Sequence, residues 1–102
     1  MTEMQVEVID APALREYLGP RGPWATESGQ RVRKFRTRME KSETWLAAAV
    51  GVSAQTVRQV ECGAIVPRDY LRAAIAFALG QDPETIWPTL TRLRVGEIGQ
   101  VA

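Results

Sequence analysis

The chain has no histidine, and Cys62 stands alone among its 102 residues. Without histidine, most zinc ligand sets and the common general base of hydrolases are missing. No nucleophile–base pair can be assembled from what remains, so neither an enzyme nor a cofactor, metal or small-molecule site is expected. One cysteine closes no intramolecular disulfide, which fits a cytoplasmic setting. Apolar runs are short as well. The longest, around Trp45 to Val52, falls far below the ~20 residues that span a bilayer, so no membrane partner is expected. Met1–Asp10 is acidic and has no apolar stretch of the leader type.

What is present is unevenly distributed. The net charge is only +1, yet residues 21–41 carry Arg21, Arg31, Arg33, Lys34, Arg36, Arg38 and Lys41 against Glu27 and Glu40. Residues 1–20 are acidic, with Glu3, Glu7, Asp10 and Glu16 against Arg15. A basic block in a nearly neutral chain reads either as a polyanion-facing surface or as a solvated helix face.

The hydrophobic periodicity is helical throughout the body of the chain. Residues 1–24 read as an extension: "MQVEVI" alternates weakly as a short strand or coil, and a short helix is expected from Pro12 to Leu18. "GPRGPW" then breaks regular structure, and its Arg21 reads as part of a linker or as a minor-groove arm. A first core helix is expected over Ser28–Met39, with Val32, Phe35, Arg36 and Met39 on one face. Ser42 caps a second, Glu43–Val50, which Gly51 ends. Ser53 caps a third that runs to Cys62 and stops at Gly63. Pro67 opens a fourth, and Asp82-Pro83 opens a fifth that Pro88 kinks or ends. Residues 25–90 form one domain on this reading, and 91–102 a frayed tail.

This ordered set resembles the helix-turn-helix of the Xre family, which includes the lambdoid phage Cro proteins and repressor N-terminal domains. The residues that carry the resemblance are Leu46-Ala47, Gly51-Val52-Ser53, Val57, Val60-Glu61, Gly63, Pro67 and Ala78-Leu79-Gly80. It implies an all-α, compact five-helix Cro/repressor-like domain whose third helix enters the major groove of double-stranded DNA. With Val57 and Val60 inward, Ala54, Gln55, Arg58 and Gln59 are the expected base contacts. Glutamine suits an adenine edge, arginine a guanine edge or a phosphate, and alanine a thymine methyl. Arg31, Thr44, Ser53, Thr56 and Arg68 are the expected backbone contacts. Arg36 and Glu61 are expected to pair structurally between the first and third helices. Cys62 reads as a small helix-end residue rather than a reactive thiol.

The chain also departs from the family pattern. Glu43 stands where a glutamine usually contacts phosphate or a neighbouring side chain, and its charge would repel phosphate. Thr44 and the helix-end amides are the expected substitutes. The loop "AIVP" lacks the usual lysines. Trp45 and Phe77 take positions that are usually polar, and large exposed aromatics call for a cover. The expectation is that residues 12–24, with Leu14, Tyr17, Leu18 and Trp24, dock over them on a face away from the third helix; a partner subunit is the alternative. Family precedent implies a homodimer on a pseudo-palindrome, although the kinked fifth helix shows no clear self-complementary seam. The expected role is a transcriptional regulator of Cro or immunity-repressor type that acts by occupying an operator. Two rivals stand beside it: an Xre-type antitoxin that binds a toxin protein and represses its own operon, and an interaction module that has lost DNA binding, at which Glu43 and the apolar loop hint.

Overall fold

A Pro-Trp pair opens the longest helix of the molecule. In the computed structural model, which describes residues 11–89, α1 is Ala11–Leu18, α2 Pro23–Arg38, α3 Glu43–Val50, α4 Ala54–Glu61, α5 Asp69–Ala78 and α6 the single turn Pro83–Ile86. The architecture is all-helical among these residues. The weak strand expected in "MQVEVI" and the tail 91–102 lie outside them. The helix ends follow local chemistry. Ser42 accepts from the Trp45 amide and Ser53 from the Thr56 amide, while Asp82 accepts from the Glu84 amide. Gly51 ends α3 at φ 80, in the left-handed region that disfavours any side chain.

Two boundaries differ from the sequence expectation, and the end of the last helix follows it. The first core helix starts at Pro23 rather than Ser28, because Pro23 sits in the first helical turn, where a missing N–H costs nothing. The added turn brings Ala25 into the core, in line with Ser28, Gly29, Val32 and Arg36. A side chain at Gly29 would collide with the carbonyl oxygens of Val60 and Glu61, so α2 and α4 meet backbone to backbone there. The fourth expected helix starts at Asp69. Pro67 instead lies buried before it, and its carbonyl accepts from Arg72 Nη1 at 2.6 Å. The last helix ends after one turn, because the residue before a proline is driven out of helical backbone; Trp87 takes φ −119 and ψ 86.

The core holds Val32, Leu46, Ala47, Val57, Val60, Leu71, Ile75, Ala76, Leu79, Ile86 and Trp87. α3 packs on α4 and α5, while α2 packs on α1, α4 and α6. Two donors on one face of α2, two turns apart, Trp24 and Arg31, secure the end of α6. Trp24 Nε1 donates to the Pro88 carbonyl at 2.8 Å, and Arg31 Nε donates to the Ile86 carbonyl at 2.9 Å. Those carbonyls have no helical partner of their own, so the bonds close the fold across more than fifty residues of chain.

The extension docks, but not where the sequence suggests. Ala13 and Tyr17 of α1 are buried against α2, and the Arg21 amide donates to the Gly63 carbonyl at 2.6 Å. Gly63, at φ 79, also lies against the Thr26 backbone. The segment therefore sits beside the end of α4, not on a face remote from it. Phe77 stays 87% exposed. Trp45 is half-buried against the core, and its outer face is covered locally by Lys41, whose Nζ stands 5.1 Å from the ring centroid.

Candidate nucleic-acid interface

The short helix α4 has two unlike sides. Val57 and Val60 are buried in the core with Glu61 beside them, so the residues roughly half a turn away face out. Gln55 and Arg58 are exposed and Gln59 is half-exposed, with Cys62 exposed one step further along the same row. The spacing i, i+3, i+4, i+7 makes them neighbours on one face. Ala54, grouped with these residues in the sequence reading, instead packs half-buried against the core. Its methyl is partly occupied by the protein.

The back of α4 is fixed by charge as well as by packing. Arg36 Nε donates to Glu61 Oε2 at 2.7 Å, and Nη2 donates to Oε1 at 3.0 Å, a two-pronged bond between residues each 8% exposed. Arg36 Nη1 donates to the Lys41 carbonyl at 2.7 Å, which ties in the turn before α3. The pair expected between the first and third core helices is thus present. The Glu61 hydrogen bond raises the Arg36 pKa and burial opposes it, with the charges of Glu61 and then Glu43 adding to the rise. A raised pKa on a cation means the pairing is in full effect below the ordinary arginine range and is lost only above it, so pH near neutrality leaves it intact.

Glu43 has a use that the sequence reading missed. Its Oε1 stands 3.5 Å from Arg58 Nη1 and its Oε2 stands 4.0 Å from Arg36 Nη2. A glutamate at the start of α3 therefore links the internal arginine to an exposed one on α4. Arg33, Glu43, Arg58, Glu61 and Cys62 line a cleft of about 350 Å³ beside that row. The Arg58 side chain remains 58% exposed, free to turn outward.

The expected backbone contacts divide into two groups. Arg68 is exposed at the start of α5, and Thr44 is exposed in the first turn of α3. Ser53 and Thr56 lie at the start of α4, where their hydroxyls bond to each other at 3.0 Å and Ser53 holds the helix cap. Arg31 belongs elsewhere. Its guanidinium bonds to the Ile86 carbonyl and reaches the Ser28 hydroxyl at 3.4 Å, so it serves the fold. Sequence reasoning missed this because the end of α6, which needs the donor, lies 55 residues away.

Part of the basic block leans on the protein's own aromatic rings. Lys34 and Arg38 sit over the Phe35 ring, at 5.4 Å and 5.9 Å, and Lys41 over Trp45. These cations cover aromatic faces that helical phase leaves at the surface. Among the described residues no cluster of carboxylates and thiols is grouped to hold a metal ion. No helix among them is long and apolar enough to cross a membrane. Comparison with protein-family models, with curated proteins and with solved structures finds no match.

Proposed function

We propose that this chain is a sequence-specific double-stranded DNA-binding regulator that acts by occupying an operator. The observation that carries the reading is the outer row of α4. An eight-residue helix, capped by Ser53 and braced from behind by two valines and the Arg36–Glu61 pair, presents Gln55 and Arg58 to solvent, with Gln59 partly exposed beside them. A rigid support carrying bidentate amide and guanidinium groups is what direct readout of base edges requires. Three residues separate it from α3, and the resemblance to the Xre helix-turn-helix rests on that same stretch. Thr44 and Arg68, both exposed, are the candidate phosphate contacts. Bound over a promoter, such a domain excludes polymerase with no catalytic group, in the manner of a Cro-like or immunity repressor.

The test is a footprint on DNA flanking the gene, followed by binding titrations on the protected sequence and on random DNA. A bounded protected site, with affinity well above that for random DNA, supports the reading. Equal affinity for both, or none, overturns it. The antitoxin reading draws on the exposed Phe77 and Tyr70, which leave apolar surface for a protein. Stoichiometric co-purification with the product of an adjacent gene would favour it.

A further inference from the structure

Glu61, Arg36, Glu43 and Arg58 form a row of charges that alternates in sign from the interior to the outer face of α4. Arg36 holds Glu61 through Nε and Nη2, and its Nη1 is bonded to the Lys41 carbonyl. Every nitrogen of that guanidinium is engaged, so Arg36 is tied down. It stands 4.0 Å from Glu43 Oε2 and gives that carboxylate a fixed anchor at the start of α3. Glu43 Oε1 then lies 3.5 Å from Arg58 Nη1. The two side chains are 30% and 58% exposed, so this last link is open to a ligand.

The contact divides the Arg58 guanidinium. Nη1 faces a carboxylate, while Nε and Nη2 have no partner among the described residues. That free edge is a planar two-donor fork, the shape that meets O6 and N7 of a guanine. A guanidinium already steered by Glu43 loses less freedom when it docks. A phosphate is received differently. It carries a full negative charge and would share Arg58 with a carboxylate that repels it, whereas a guanine edge offers neutral acceptors. The glutamine of the Xre pattern has no charge with which to make this distinction.

We infer that Glu43 is a specificity residue, which positions Arg58 for a guanine edge and withholds it from phosphates. The inference rests on the reading of α4 as the base-contacting helix. Its effect is to weaken binding to random DNA more than binding to the operator.

Binding titrations over a salt series, on the footprinted site and on random DNA, separate the two effects. In Glu43→Gln the slope of log affinity against log salt on random DNA should steepen by about one, as Arg58 gains a phosphate. The ratio of operator to random affinity should fall about fivefold or more, the lower end of what one bidentate base contact is worth. With Glu43 in place, Arg58→Gln should leave the random-DNA slope unchanged; in the double variant it should remove the steepening. Replacing the guanine that Arg58 reads by 7-deazaguanine, which lacks the N7 acceptor, should weaken wild type and leave Arg58→Gln unaffected. A slope and ratio equal to wild type in Glu43→Gln would overturn the inference and leave the reading of α4 standing. So would an equal gain on both DNAs, a steepening that persists without Arg58, or a site where no 7-deazaguanine is felt through Arg58. If wild type itself does not prefer the site, the reading of α4 falls and this inference with it.

Discussion

α2 and α4 both look like polar, DNA-facing helices on paper, and the structure separates them. In α2 the two inner arginines turn to the protein, Arg36 to Glu61 and Arg31 to the Ile86 carbonyl, while Lys34 and Arg38 lie exposed over the Phe35 ring and Arg33 is exposed. In α4 the polar row of Gln55, Arg58 and Gln59 faces solvent, and Arg58 alone among them carries an ion pair among the described residues. Charge density along a sequence is thus a poor measure of charge available to a partner. The phase of each residue against its neighbours decides what remains free.

Breaking the internal side of that contrast should have the largest effect. Arg36→Ala leaves Glu61 buried without its cation, and loss of one partner of such a pair costs about 3–5 kcal/mol. Urea unfolding should show it as a lower midpoint, and a midpoint equal to wild type would mean that the two-pronged bond contributes nothing.

The outward side is probed by Gln55→Ala and Gln59→Ala. Each is expected to weaken binding to the protected site by ~1–3 kcal/mol while random DNA is bound almost as before. Stability should not move, since neither side chain supports the core. Uniform loss on both DNAs would assign the glutamines to the solvated surface.

A paired comparison of arginines sharpens the point. Arg68→Ala should lower the slope of log affinity against log salt by about one, the signature of one lost phosphate contact. Arg31→Ala should leave that slope alone and instead destabilise the fold by about 1 kcal/mol, the scale of a single hydrogen bond. Exchanged behaviour of the two variants would undo the assignment of Arg31 to the fold.

The smallest effect concerns the cover over Trp45. Lys41→Ala should cost about 0.5 kcal/mol, as exposed cation–aromatic contacts do, and raise quenching of Trp45 fluorescence by acrylamide. Unchanged quenching would show that something other than Lys41 screens the ring.

Local signals in this chain were readable and distant demands were not. Ser42, Ser53 and Asp82 are caps, and Gly51 and Gly63 are left-handed stops, because each acts within one turn of its own position. Val57 and Val60, which the resemblance turns inward, are buried and share a face by their spacing. Arg31 and Trp24 could not be placed, since their acceptors, the carbonyls ahead of and at Pro88, come near only after α6 folds back on α2. Glu43 was read as a liability for phosphate because its partners Arg36 and Arg58 belong to different helices. Ala54 fell to the same limit: its spacing puts it near the outer row, but it packs partly buried against the core.

The bond between the Arg21 amide and the Gly63 carbonyl makes the extension a reporter on its own attachment. Arg21 is exposed and holds a left-handed φ of 66, so its amide has little shelter apart from that single acceptor. Its hydrogen–deuterium exchange rate then measures how often α1 lifts from the body, separately from global unfolding, which governs amides such as that of Val57. Because Gly63 directly follows the last turn of α4, a ligand that stills α4 should slow exchange at Arg21 without touching the extension.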